Sequence, residues 1–305
     1  MASPFKNILV IGATGSIGTF VLKALLEEPT FTVTALQRAS SKSKLPQSVK
    51  VITIDESYPT EALVSAFNGQ DAIINCTSFL AVDDTIRIID AAIAANVRRY
   101  VASEYGLNNN HPAARALTTV FGHKGHVQDY LRSKESTGLE WNAVATGMFL
   151  KWSAVNEFLG MHIKEKKFVL WDEGEGWFST TTEENTGLAI VNSLASKWEE
   201  TKNRVIWLSD FAITQKQLLE TLERISGDKF TVEKINSAEV IKEKQAAVAS
   251  GDPYAIYTLI EAGFVVGKYG SHLEKEGEIM NELLGLPRKS IDEVVGAALE
   301  AVKGL

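Results

Sequence analysis

A strand that runs straight into three glycines and out into a helix constrains this chain more than any other feature. Ile8 to Ile11 form an apolar run, and Gly12-Ala13-Thr14-Gly15-Ser16-Ile17-Gly18 follows without a break. Ile17, Val21, Leu22, Leu25 and Leu26 then recur at helical spacing. A strand, a glycine turn and a helix start together cradle a dinucleotide pyrophosphate. The glycines let the backbone turn tightly and approach the phosphates, while free N–H groups and the positive end of the helix dipole face the anion. The spacing is G-x-x-G-x-x-G rather than G-x-G-x-x-G. An ordinary glycine-rich turn is the alternative, but three glycines in seven residues carry an entropic penalty that packing alone seldom justifies. Gly12, Ala13, Thr14, Gly15, Ser16, Ile17 and Gly18 are therefore assigned to cofactor binding.

The pattern repeats along the first half. Strands are expected at 7–11, 32–36, 49–54, 72–76, 98–102 and 141–145, with helices at 16–27, 59–67, 84–95 and 118–134 and a loop at 107–116. Five βα units in succession specify an α/β fold with a doubly wound parallel sheet. After residue 150 the alternation breaks. Phe168 to Trp171 and Trp177 to Ser179, around Asp172-Glu173-Gly174-Glu175-Gly176, read as a hairpin whose acidic residues are turn chemistry. A helix at 183–195, a strand at 204–208 and helices from 214, 237, 252 and 290 complete the reading. The expected division is an NADP-binding domain at 1–150, with 180–210 packing back on it, and a smaller mixed α/β substrate lobe over 151–305.

Cofactor choice is written after the second strand. Gln37-Arg38-Ala39-Ser40-Ser41-Lys42 holds no carboxylate for a ribose 2′-hydroxyl, whereas Arg38 is placed for a 2′-phosphate, so NADP(H) is favoured over NAD(H). Asp55, closing the third strand, is either an adenine-edge contact or an exposed turn residue. Thr77, Ser78 and Phe79 fall at the carboxyl end of the fourth strand, Ser103 and Glu104 at that of the fifth, and Met148 and Phe149 just past the sixth. All are assigned to the crevice that a doubly wound sheet opens there.

Other chemistries are excluded one by one. With a net charge of −7 and no concentrated basic stretch, nucleic acid is not an expected partner. Cys76 is the single cysteine, so no intramolecular disulfide forms and a reducing, cytoplasmic setting is expected. It lies in an apolar run and reads as core. No stretch is long and apolar enough for a membrane span. The five histidines have no zinc-ligand spacing, so no metal is expected, and no Gly-x-Ser-x-Gly elbow occurs. Monomer and homodimer both stay open.

Tyr130-Leu131-Arg132-Ser133-Lys134 matches the Tyr-x-x-x-Lys pair of short-chain dehydrogenases, but its register is wrong. Lys134 precedes Trp141, the start of the next strand, by only seven residues and belongs to a frayed helix end. Lys124 lies seventeen residues before Trp141, the depth expected of that lysine, yet Val120 stands where the tyrosine belongs.

The glycine turn, Arg38, Ser103-Glu104-Tyr105-Gly106, and Phe121-Gly122-His123-Lys124 with Val127 and Leu131 together resemble one group. It comprises the atypical short-chain reductases of the isoflavone reductase and phenylcoumaran benzylic ether reductase type, within the NmrA-like family. The resemblance covers about residues 5–210 well. It implies NADPH-dependent reduction of a small aromatic substrate, with Lys124 as the general acid/base. Gln128, Asp129 and Arg132 depart from the basic residues and glutamate usual at that helix. A desolvated lysine beside a nicotinamide has a lowered pKa, which lets it exchange a proton near neutrality. Phe79, Met148, Phe149 and Trp152 are expected to line the pocket. The alternative is an NADP(H) sensor of the NmrA-like kind that binds without turnover; a pure sensor has no need of Lys124. An epimerase or dehydratase would need the tyrosine in register.

Overall fold

The computed structural model describes residues 3–77 and 81–304. Ser78 and Phe79 lie outside the described residues. The chain opens with β1 (Asn7–Ile11) and α1 (Gly18–Glu27), then β2 (Thr32–Arg38), β3 (Lys50–Ile54) and α2 (Thr60–Phe67). Next come β4 (Ala72–Asn75), α3 (Val82–Ala94), β5 (Arg99–Ala102), α4 (Pro112–Leu117), α5 (Thr119–Ser133) and β6 (Glu140–Ala145). The second half holds α6 (Leu150–Val155), β7 (Met161–His162), β8 (Lys167–Trp171), β9 (Trp177–Thr180), α7 (Glu183–Ala195) and β10 (Arg204–Trp207). It continues through β11 (Phe211–Thr214), α8 (Gln215–Ser226), β12 (Thr231–Ile235), α9 (Ser237–Ala249), α10 (Ala255–Val265) and α11 (Ile291–Lys303).

Seven strands make one sheet in the order β10-β6-β5-β4-β1-β2-β3. Every adjacent pair is parallel. β1 lies inside the sheet between β4 and β2, with Ile8 opposite both Val33 and Ala72. A strand covered on both faces reads as a continuous apolar run rather than an alternation, which is why the first strand was so visible in the sequence. The strand order reverses between β1 and β4, and ligands in such sheets bind beyond the carboxyl ends at that point. Apolar clusters fill both faces of the sheet. A third, built from Phe121, Phe168, Phe178, Leu218, Phe264 and Val295 among others, fills the second half.

Three expectations change. No helix joins β2 to β3; the chain crosses as an irregular segment, so the alternation has a gap there. The expected loop at 107–116 contains α4, where Pro112 at the first helical position costs no hydrogen bond. The hairpin does not form. β8 pairs parallel with β12 and antiparallel with β7, while β9 pairs antiparallel with β11. The link between β8 and β9 is held from elsewhere: Asp172 N–H donates to the Ile235 carbonyl at 2.8 Å, and Lys216 N–H to the Gly174 carbonyl at 3.0 Å. These bonds lead the chain away to a different sheet. The acidic residues do serve the turn, since the Asp172 carboxylate accepts from the Ser237 N–H at 2.8 Å.

Candidate active site

At the end of β1, Gly12 has φ +77°, and a Cβ at Gly18 would lie 2.0 Å from the Gly12 carbonyl oxygen. No side chain fits either position without unwinding the turn. The Gly15 N–H donates back to the Gly12 carbonyl at 3.0 Å, which leaves the start of α1 open to the crevice. Thr14 and Ser16 are exposed there.

Two clefts meet at this turn. The first, about 350 Å³, is lined by Gly12, Ala13, Thr14, Gly15, Arg38 and Thr77, and also by Gln37, Ser41, Leu45 and Tyr58, which the sequence did not single out. Gln37 braces the segment after β2, its amide donating to Ser41 Oγ at 2.9 Å and to the Ser43 carbonyl at 2.8 Å. The Arg38 guanidinium lies 3.5 Å from the Glu56 carboxylate, with both side chains about half exposed. Glu56 in turn accepts from the Ser40 N–H at 2.9 Å, and the Ser40 side chain together with that N–H holds its carboxyl below the usual range. Asp55 lines neither cleft. Its carboxylate accepts from the Ser57 N–H and hydroxyl at 2.9 and 2.6 Å, and the residue is exposed in the turn after β3.

The second cleft is larger, about 580 Å³, and mostly apolar. Ser16, Ile17, Thr77, Ser103, Glu104, Lys124, Met148, Phe149 and Trp152 line it. Phe20, Val120, Phe121, Lys151, Glu183, Tyr257, Ile260 and Phe264 join them. Phe121 and Phe264 meet edge to face with centroids 6.3 Å apart, and Trp152 and Phe158 at 5.6 Å. Tyr254 faces outward, 78% exposed. The floor shared by both clefts is tightly bonded. Thr77 Oγ1 donates to Asn75 Oδ1 at 2.6 Å, and Ser103 Oγ to the Thr77 carbonyl at 2.5 Å. Cys76 is buried, with Sγ 3.5 Å from the Tyr105 hydroxyl; burial pushes its thiol up to about 12.

Lys124 reaches the cleft from the middle of α5. Thr118 caps that helix, its side chain accepting from the Val120 N–H. A Cβ at Gly125 would lie 2.4 Å from Arg115 Nε and 2.5 Å from the Asn109 carbonyl, so the glycine lets α5 press against the 109–115 segment. Lys124 Nζ donates to the Glu104 carbonyl. Burial pulls its ammonium below the usual lysine range, against the opposing charge of Glu104. The Glu104 carboxyl is pushed up by burial, and Lys124 and the Asn109 and Gln128 amides pull the other way. Tyr130 and Lys134 lie elsewhere. The Tyr130 hydroxyl donates to Asp90 at 2.6 Å and Lys134 Nζ lies 3.8 Å from the same carboxylate, on the α3 side of α5. His123 and His126 are exposed.

Among the described residues no group of histidine, cysteine or carboxylate side chains is arranged to hold a metal, and no helix is long and apolar enough to cross a membrane.

Residues 4–294 match the model of the NmrA-like family. The chain is 34% identical over 295 residues to the oxidoreductase aprR of Aspergillus flavus, covering 96% of this chain and 99% of that one. The structure resembles that of an isoflavone reductase with a TM-score of 0.76 at 20% identity, covering 95% and 98% of the two chains. It resembles AtPrR2 with NADP+ and (+)pinoresinol at a TM-score of 0.75 and 16% identity, with the same coverage.

Proposed function

The chain belongs to the NmrA-like family, and from that premise we propose that it is an NADPH-dependent reductase of a small aromatic substrate in which Lys124 handles the proton. The observation that carries the reading is Lys124 itself. A half-buried ammonium enters an apolar cleft of about 580 Å³ that opens onto the glycine turn. NADPH would lie across both clefts, its pyrophosphate at Gly12 to Gly18, its 2′-phosphate at Arg38 and its nicotinamide beside Thr77, Ser103, Met148 and Phe149. The cofactor supplies hydride. The protein's part is to orient the substrate between aromatic walls, exclude water and deliver a proton from Nζ to the atom that gains negative charge. Glu56 is displaced from Arg38 when the phosphate arrives, because a phosphate accepts two charge-assisted bonds where the carboxylate makes one exposed contact.

In this reading residues 1–150, together with 180–210, hold the cofactor, while 151–305 mainly hold the substrate. Pairing of β10 with β6 and packing of α7 on α1 support that division. The single buried cysteine fits a cytoplasmic location.

NADPH consumption against aromatic ketones, enones and benzylic ethers tests the proposal, with wild type, Lys124→Ala and Lys134→Ala compared. Loss in Lys124→Ala alone is expected. Loss only in Lys134→Ala would restore the tyrosine–lysine pair. Tight NADPH binding with no turnover in any protein would point to a sensor.

A further inference from the structure

Glu104 addresses Lys124 twice. Its main-chain carbonyl accepts the Nζ hydrogen bond, and its carboxylate supplies the opposing charge that the ammonium meets in the cleft wall. The side chain is only 2% exposed. A carboxylate withdrawn from water this far is costly unless it is hydrogen-bonded and paired. Here the Asn109 amide donates to Oε1, and the Gln128 amide donates from α5. The Gln128 amide is itself held, its Oε1 accepting from the Asn110 amide and from Arg132 Nη2 at 3.3 Å, while the Asn109 main-chain carbonyl accepts from Arg115 Nε at 3.1 Å. The next residue, Tyr105, has φ +43°, a left-handed conformation that a tyrosine rarely adopts. Such strain persists only where the surroundings over-determine it, and here it follows directly on the carbonyl that accepts from Lys124 on α5.

We propose that Glu104 is a positioning residue for Lys124, its buried carboxylate holding the ammonium charged and aimed into the substrate cleft. The proposal rests on the reading of Lys124 as proton donor. Other charged and titratable groups face the pair from each neighbouring element. Arg132 lies on α5, the Tyr105 hydroxyl is on the loop, and Arg115 on α4 is itself tied to Asp129 at 2.7 Å. Glu104 is the buried acid in the same cleft wall whose charge acts on the ammonium. Without it Lys124 would sit desolvated with no counter-charge, the condition that strips a proton from a lysine.

Competitive acetylation with acetic anhydride tests this in the full chain without needing the substrate. The reagent takes only the neutral amine, and peptide mass spectrometry follows Lys124 against pH with Lys134 as internal reference. Glu104→Gln is expected to lower the midpoint of Lys124 labelling by at least one pH unit, a tenfold loss of proton affinity, while Lys134 stays fixed. Glu104→Asp keeps the charge one methylene farther back and is expected to fall between; it carries the test if the glutamine variant does not fold. Coincident midpoints in wild type and the folded variants overturn the proposal. So does faster labelling at every pH with an unmoved midpoint, which marks a merely structural role. A lowered midpoint in a protein whose Lys124→Ala variant retains full turnover leaves the coupling standing and removes the proton donor.

Discussion

The cleft beside Arg38 and the cleft beside Lys124 share Cys76 and Thr77 but differ in where their walls come from. The first is lined entirely by residues between Gly12 and Thr77, from the ends of the four adjacent strands β4, β1, β2 and β3, and much of what it offers is backbone. The second draws on α1, β5's exit, α5, α6, α7 and α10, with side chains from Ser16 to Phe264. A cleft made of main chain tolerates most side-chain changes except at its glycines. One assembled from side chains over long sequence distances can be re-shaped by single substitutions.

The contrast can be broken most sharply at Lys124. Lys124→Ala is expected to lower kcat about 10²–10⁴-fold, the usual yield of general acid–base catalysis, while NADPH affinity measured by fluorescence titration stays within about threefold. In wild type, kcat should fall as pH rises through the lowered lysine pKa, because the protonated ammonium is the donor; that alkaline limb should lie below the usual lysine range. An unchanged kcat in the variant would leave the second cleft a binding site only. Next in size, Phe121→Ala removes a ring that is 4% exposed and meets Phe264 edge to face, and should destabilise the protein by about 3–5 kcal/mol in urea unfolding. A loss under about 1 kcal/mol would mean that this wall is not part of the core. On the other side, Arg38→Ala should weaken NADPH by about 1.5–3 kcal/mol while NADH is hardly affected. Parallel weakening of both nucleotides would remove Arg38 from the 2′-phosphate.

The smallest effect concerns the back of the second cleft. Glu261, on α10 one residue from Ile260, accepts from Trp171 Nε1 at 2.9 Å, and burial raises its carboxyl to about 7. Its folded pKa lies above the unfolded value, so its contribution is full below about pH 4.5 and is lost as pH rises through 7. Melting curves should therefore show Glu261→Gln gaining on wild type between pH 5 and 8, by about 2–5 °C. A constant difference across that range would mean that Glu261 is ionised throughout.

The same difference in construction explains what could be read from sequence. β1, the turn and α1 were legible because three constraints of different kinds fall within about a dozen residues: an apolar run, glycine spacing and helical periodicity. Lys124 was legible from its distance to β6, since a helix crossing one face of a sheet has a fixed length. Glu56 beside Arg38 was missed because the contact joins segments that become neighbours only when β2 pairs with β3. The β8–β9 hairpin failed for a related reason. β12, TVEKI, is largely exposed and charged, so nothing in its composition announced the strand that takes β8 as partner. Likewise the role of Gln128 depends on what Glu104 presents to it from another element, which no local pattern records.

The pairing of β10 with β6 has a consequence for synthesis. Until Arg204 to Trp207 emerge, the outer edge of β6 from Asn142 to Ala145 has no partner strand. Some 58 residues separate the two, which at roughly 5–20 residues per second leaves about 3–12 s in which a bare, apolar strand edge stands open on the ribosome. A shortened chain ending near residue 150 would keep that edge permanently, together with the face of α1 that α7 covers. Bare edges of this kind template association with other strands. Such a fragment should precipitate rather than yield an isolated nucleotide-binding unit, whereas one reaching past Trp207 would have β10 to cover the β6 edge.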